Sequence, residues 1–277
     1  MKKTSIFWIL AFILTAGSAL FQYVTGPSYP LRGTAIVTGR TITYKLDRSH
    51  GGLTDCPVKI TTNDKSVGGT LEWRRYKTND AWGAITMQYD AGVLSAELPY
   101  QPPAGKLEYR VLLNGNGEEH IVPEGSSVIV RFRGDVPWYI LVPHILAMFG
   151  GMFFSARTGL EALQQKSNLR PLMLWTIVLL FAGGFILGPL VQWHAFGAFW
   201  TGWPVGTDLT DNKTAVAVIA WLFALVMLKR SAKPAWWAIG AASVTLAVYL
   251  IPHSVLGSEI DYNKIDQQKP SSYHLMR

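Results

Sequence analysis

The sequence predicts an α-helical transmembrane bundle of about five spans that carries one inserted all-β domain. Three observations predict this. Of 277 residues, 49% are apolar and only 16% charged, whereas roughly a quarter of a soluble protein is charged. The apolar residues gather in long runs, as segments that cross lipid must. Between the first and second runs, 26–136 changes to short apolar stretches that alternate with polar residues, the period of half-buried strands.

The first run, Ile6–Tyr23, follows Lys2 and Lys3. Region 1–25 reads as a transmembrane anchor, since apolar character continues through Phe21. The competing reading is a signal peptide cut near the small residues Ala16–Ala19. Either one sends Thr25 onward out of the cytoplasm. Thr25–Gly33 contains Pro27 and Pro30 and forms a stiff link to the β-domain, with Arg32 near the headgroups.

Region 26–136 reads as the extracytoplasmic domain. Strands are expected at 42–46, 71–76, 84–89, 106–112 and 128–132, with turns at Gly51-Gly52, Asn63-Asp64, Gly68-Gly69, 102–105 and 114–117. Seven or eight short strands at this spacing predict an antiparallel sandwich. In size it matches an immunoglobulin or fibronectin type III module, and Lys106–Val111 looks like a late strand of such modules.

Region 137–253 holds the other four spans, at about 138–156, 172–192, 214–228 and 234–251. A basic loop, Arg157–Arg170, a Trp- and Gly-rich loop, His194–Lys213, and a basic turn, Lys229–Lys233, connect them. The polar tail 254–277 lacks apolar periodicity and is expected to be extended or disordered.

Charge sets the orientation. The formal net charge is +7, yet 26–136 is nearly balanced. The surplus is Lys2, Lys3, Arg157, Lys166, Arg170, Lys229, Arg230 and Lys233, which flank the apolar runs and are opposed only by Glu161. That is the positive-inside pattern of a multi-pass inner-membrane protein and excludes a nucleic-acid surface. Five spans put these clusters in the cytoplasm, and the β-domain, the 194–213 loop and the tail outside. The single cysteine, Cys56, cannot form an internal disulfide and is expected to be buried and inert.

No diagnostic catalytic motif is present, so candidate chemistry rests on placement. This topology brings His144, His194 and His253 near the outer face on three different spans, with His144 about 10 Å below its helix end. Two follow proline, which frees a helical carbonyl and bends the backbone. Three imidazoles at one depth can hold a divalent metal, two can ligate haem, and one can exchange protons with a quinone-like substrate. Each can equally serve only a helix end. In the following loop, Trp193, Trp200 and Trp203 can roof a cofactor pocket or form an interfacial belt. Asp208 and Asp211 can accept protons or bind a cation, and Asp211 also suits a helix cap.

Segment 25–33, the Pro143-His144 pair and the 194–213 loop resemble a family of bacterial multi-pass inner-membrane proteins with an extracytoplasmic β-sandwich. The resemblance implies the layout above and no established activity. Two functions are therefore expected in competition. One is a metal, haem or small-ligand site at the outer face. The other is a non-enzymatic binding or assembly module that acts on an envelope protein through its β-domain, with the bilayer as its other partner. A transporter is disfavoured, because the spans show no inverted repeat.

Overall fold

The computed structural model describes residues 3–164, 168–206, 209–252, 257 and 259–268. The chain divides into two compact units. One joins 1–27 to 135–258, and the other joins 28–134 to 259–277.

The second unit is the β-domain. Its strands are β1 (Leu31–Val37), β2 (Arg40–Leu46), β3 (Ser49–Gly51), β4 (Cys56–Thr61), β5 (Gly68–Arg75), β6 (Gly83–Thr86), β7 (Gln88–Asp90), β8 (Val93–Leu98), β9 (Lys106–Gly115), β10 (Glu118–Val122) and β11 (Val128–Arg133). They form three separate sheets: β1-β2, β4-β8-β7, and β3-β11-β9-β5-β6 with β10 added to β9. Strand β9 organises the largest sheet. Its residues Leu107, Tyr109, Val111 and Leu113 are all buried, the period-2 pattern of a strand with one face on a core. One edge of β9 pairs with β5 along most of its length. The other edge is shared, β11 taking Lys106–Tyr109 and β10 taking Val111–Gly115.

All three sheets bury side chains in one core, including Leu46, Ile60, Leu71, Leu94, Leu98 and Phe132. The tight turns follow their residues. Asn116 and Gly117 have φ of 54° and 82°, which joins β9 to β10 through the left-handed pair that Asn-Gly favours. The expected strand 84–89 is divided. Met87 is buried, and its N–H bonds to the Gly69 carbonyl at 2.8 Å, so β6 and β7 enter different sheets. Cys56 is a buried free thiol. Burial, and then the charge of Asp47, push its pKa up to about 12, which removes the thiolate that reactivity needs.

The tail departs from expectation. Within 259–268 it is ordered, with a helix α7 (Tyr262–Gln268), and it belongs to the β-domain. Composition suggested disorder because the segment has few apolar residues. Ion pairs, hydrogen bonds and the buried Tyr262 hold it on the β-domain, rather than a core of its own.

The first unit is helical: α1 (Lys3–Thr25), α2 (Trp138–Ala162), α3 (Arg170–Phe181), a π-helical stretch Ala182–Leu187, α4 (Gly188–Phe196), α5 (Leu209–Arg230) and α6 (Pro234–Leu250). Four stretches are long and apolar enough to cross a membrane: Ser5–Thr25, Trp138–Ala162, Arg170–Phe196 and Leu209–Arg230. Helix α6 is a shorter apolar helix of 17 residues. Phe12, Leu20, Leu146 and Ile219 are each more than 60% exposed, which suits lipid as the solvent and not water.

Small residues bring the helices close. Gly151 faces Leu180, Gly183 faces Met148 and Ala147, and Gly159 faces Ala242. Gly240 instead faces open space, and it is Ala238 and Ala241 that are buried. At the centre Trp221 is fully buried, and its Nε1–H donates to Thr245 Oγ1 at 2.8 Å. The Tyr249 hydroxyl donates to the Met148 carbonyl at 2.7 Å.

The helices run further than their apolar runs. Helix α2 extends to Ala162, so Arg157 is a buried helical residue and not part of a loop. It ion-pairs with Glu161 and lies over the rings of Phe7 and Trp8. Such pairing lets a charge stay inside an apolar helix packing. Helix α5 begins at Leu209, which places Asp211, Asn212 and Lys213 inside it.

Candidate functional site

The candidate side chains are positioned by α2, by the Arg170–Phe196 stretch and by the start of α5. His144 sits on α2 directly after Pro143. Its Nδ1–H donates to the Gly183 carbonyl at 2.9 Å. A carbonyl only accepts, so Nδ1 carries the proton and Nε2 is the basic nitrogen of the neutral ring. That carbonyl belongs to the π-helical stretch, a local widening often found at functional positions. His194 lies exposed in the last turn of α4. His253 and Asp208 lie outside the described residues. Among the described residues, no three His, Cys, Asp or Glu side chains converge to hold a metal.

The three tryptophans do not share one roof. Trp193 stacks on Phe199 with centroids 4.5 Å apart. Trp200 stacks on Phe185 at 5.7 Å, and its Nε1–H donates to the Trp203 carbonyl at 3.2 Å. Trp203 is 76% exposed, and its backbone N–H donates to Asn212 Oδ1 at 2.7 Å. Asp211 has a structural task. Its Oδ2 accepts the N–H groups of Thr201 and Gly202 at 2.8 and 3.0 Å, which fastens the 197–206 loop to the first turn of α5. Lys213 is buried, and its Nζ donates to the Ile251 carbonyl at 2.6 Å. It thereby satisfies the orphan end of α6. Replacing Asp211 by Ala is expected to loosen this loop by about 2–3 kcal/mol, the cost of losing charge-assisted bonds to two N–H groups. Limited proteolysis within 197–206 should speed up accordingly.

The described residues of the bundle line several cavities. One of about 310 Å³ opens at the opposite end, between Glu161, Leu169, Leu228, Lys233 and Trp236. Another, of about 10 Å³, touches Gln22, Lys213 and Tyr249 and has room for at most one water.

The sequence did not suggest a second site, on the β-domain. A basic edge formed by Arg75, Lys77 and Lys106 holds the segment Glu259–Asp266. Arg75 binds two carboxylates at once: Asp80 at 2.6 and 2.9 Å, and Asp266 at 2.6 and 3.1 Å. Lys106 Nζ donates to Glu259 at 2.7 Å, and Lys77 Nζ donates to the other oxygen of the same carboxylate. Tyr262 is buried between them, 6% exposed. Its hydroxyl donates to Gln101 Oε1 at 3.0 Å and accepts the Lys106 backbone N–H at 3.1 Å. The Arg75 guanidinium lies 5.2 Å from its ring centre. The seat exists because residue 105 is glycine, since a Cβ there would stand 2.8 Å from the tyrosine oxygen. Two bonds to backbone carbonyls complete the dock: the Ile260 N–H donates to the Ala104 carbonyl at 3.2 Å, and the Asn263 side-chain amide donates through Nδ2 to the Lys77 carbonyl at 3.1 Å.

Electrostatics favour the docked, ionised state. Burial by itself raises the Glu259 carboxyl, but hydrogen bonds from Lys106 and Lys77 outweigh it and hold it below the usual carboxylate range. Hydrogen bonds from Arg75 hold Asp80 below that range as well. A carboxyl lowered by docking stabilises the dock above its free pKa, and that contribution disappears as pH falls through the docked value. The loss therefore begins near the free carboxylate pKa, about pH 4, and the segment is expected to detach as pH falls further, through the lower docked value of Glu259. A fluorophore at Lys264→Cys, an exposed position of the segment, should then gain mobility, and raising salt at neutral pH should act in the same direction.

Compared with protein-family models, curated proteins and solved structures, the chain matches none.

Proposed function

We propose that this chain is a membrane-anchored binding module: an apolar bundle that presents a β-domain for an envelope partner. One observation carries this reading. The side chains at the aromatic loop serve its own structure, Asp211 and Asn212 holding backbone amides, whereas the β-domain carries an edge that binds a polypeptide segment through three cations and a tyrosine seat.

The tail also supports five crossings. Residues 28–134 and 259–268 belong to one unit, so they lie on one side of the membrane. An even number of crossings must separate them. Helix α2, the third span and α5 are three, so α6 supplies the fourth. Its 17 residues rise about 25 Å, at the short end of a workable span. With α1, the count is five. Trp8 packs on Phe153 and Phe154 at 5.2 and 5.7 Å, which supports a retained anchor over a cleaved signal. The positive-inside bias then puts Lys2 and Lys3 in the cytoplasm and the β-domain outside a bacterial inner membrane, as the family resemblance implies. An immunoglobulin- or fibronectin-like sandwich remains our reading of the β-domain. An impermeant maleimide should label Lys65→Cys and Asn263→Cys from outside intact cells and leave Lys229→Cys untouched. Labelling of Lys229→Cys from outside would overturn this topology.

The test of function is photocrosslinking in native membranes from a probe at Thr78, beside the basic edge. A discrete adduct that is lost on Arg75→Glu and kept on His144→Ala and Asp211→Asn is expected. Adducts indifferent to Arg75→Glu would sink the reading.

A second reading, a metal, haem or small-ligand site at the outer face, draws on the fixed His144 tautomer, which leaves Nε2 as the ligating nitrogen. A stoichiometric metal or a haem absorption band in purified protein, lost on His144→Ala, would favour it.

A further inference from the structure

We infer that the basic edge of the β-domain is a docking groove for an acidic, aromatic-bearing peptide of a partner protein, and that the chain's own Glu259–Asp266 segment is its resident, displaceable occupant. The inference rests on the binding-module reading and adds the partner's chemistry and its regulation.

The groove's selectivity follows from its parts. Arg75 offers a planar fork to a carboxylate, its other face already fixed by Asp80. Such a fork prefers bidentate oxygen pairs. Lys77 and Lys106 converge on one carboxylate seven residues earlier in the bound segment. Between these two anchor points the Gly105 seat takes a tyrosine ring and hydroxyl. A ligand therefore needs an acidic residue, an aromatic with a hydroxyl three residues on, and a second acidic residue four residues after that. The tail supplies this as Glu259, Tyr262 and Asp266.

Displaceability follows from how the tail is held. Tyr262 is the one large side chain of the segment that is buried among its described residues. The ion pairs are partly open to solvent: Lys77 is 60% exposed, Asp266 42% and Glu259 34%. Open pairs contribute little each, so docked and undocked tails are close in free energy. A partner that presents the same chemistry at high local concentration can replace the tail, and the tail in turn keeps the groove from binding weak or unspecific acidic ligands.

The experiment uses the full chain in mild detergent and a fluorescent synthetic peptide with the sequence of residues 257–268. If the tail fills the groove about nine-tenths of the time, wild-type protein should bind the peptide about tenfold more weakly than a full-length Glu259→Gln/Tyr262→Ala/Asp266→Asn variant, because only the empty fraction is competent. Adding Arg75→Glu to that variant should abolish binding. Lys77→Gln, at a position too exposed to unfold the sheet, should weaken binding severalfold. No binding to the triple variant, or equal binding to wild type and variant, would overturn the proposal. The two readings fail separately. A persistent Arg75-dependent adduct without peptide binding keeps the module and removes the displaceable tail. Peptide binding without an adduct keeps the groove and removes the envelope partner.

Discussion

Leucine in place of Gly151 is expected to push α2 and α3 apart and to cost the bundle about 3 kcal/mol or more, at the upper end of core overpacking. The reason is local. A Cβ at Gly151 would stand 2.6 Å from Leu180 Cδ2, 2.8 Å from its Cγ and 3.2 Å from its backbone nitrogen. A side-chain tip can rotate away, but a helix backbone cannot move without its helix. Neighbouring glycines serve as controls. At Gly150 the nearest atom is the Leu179 Cδ1 tip at 3.3 Å, and at Gly240 nothing lies within 4 Å. Gly150→Ala should be tolerated, and Gly240→Ala should stabilise α6 by up to about 1 kcal/mol through helix propensity. Thermal unfolding of the three variants in one detergent gives the order directly. If Gly151→Leu melts with wild type, the close α2–α3 packing described above is wrong.

The second large effect is expected at Arg157. Its side chain is 4% exposed, it pairs with Glu161 one turn on, and its guanidinium lies 5.6 and 5.0 Å from the ring centres of Phe7 and Trp8. Arg157→Leu removes the guanidinium from Glu161 and a contact from α1, and breaking one side of a buried pair costs about 3–5 kcal/mol. Changing both partners, Arg157→Leu with Glu161→Leu, removes the charges together and should recover most of that loss. The readout is the unfolding midpoint together with the yield of folded protein extracted from membranes. A single variant as stable as wild type would mean the guanidinium reaches water or headgroups and the pair carries nothing.

These two positions mark how far the sequence could be read. Gly150-Gly151 is a pair of small residues of the kind that suits helix contact, and Gly151 makes that contact. Gly240-Ala241-Ala242 is a similar group, yet Gly240 faces outward, because composition identifies a small residue but not the side of the helix it occupies. Arg157 was assigned to a cytoplasmic loop on its charge. The helix continues past the apolar run, since Glu161 and two aromatic rings compensate the charge that hydropathy counts as a stop.

The features legible from the residues alone are those that repeat or that lipid imposes. Four apolar stretches were legible because a bilayer tolerates no unsatisfied backbone. Strand β9 was legible because Leu107, Tyr109, Val111 and Leu113 alternate, and its turn because Asn-Gly takes left-handed backbone. The tertiary structure alone decided the rest. It set Asp211 against the Thr201 and Gly202 amides, divided 84–89 between two sheets, and paired Arg75, Lys77 and Lys106 with a tail more than 150 residues away. Such pairings leave no period in the sequence. Their partners are complementary in charge, but so are many others, and only the fold selects which of them meet.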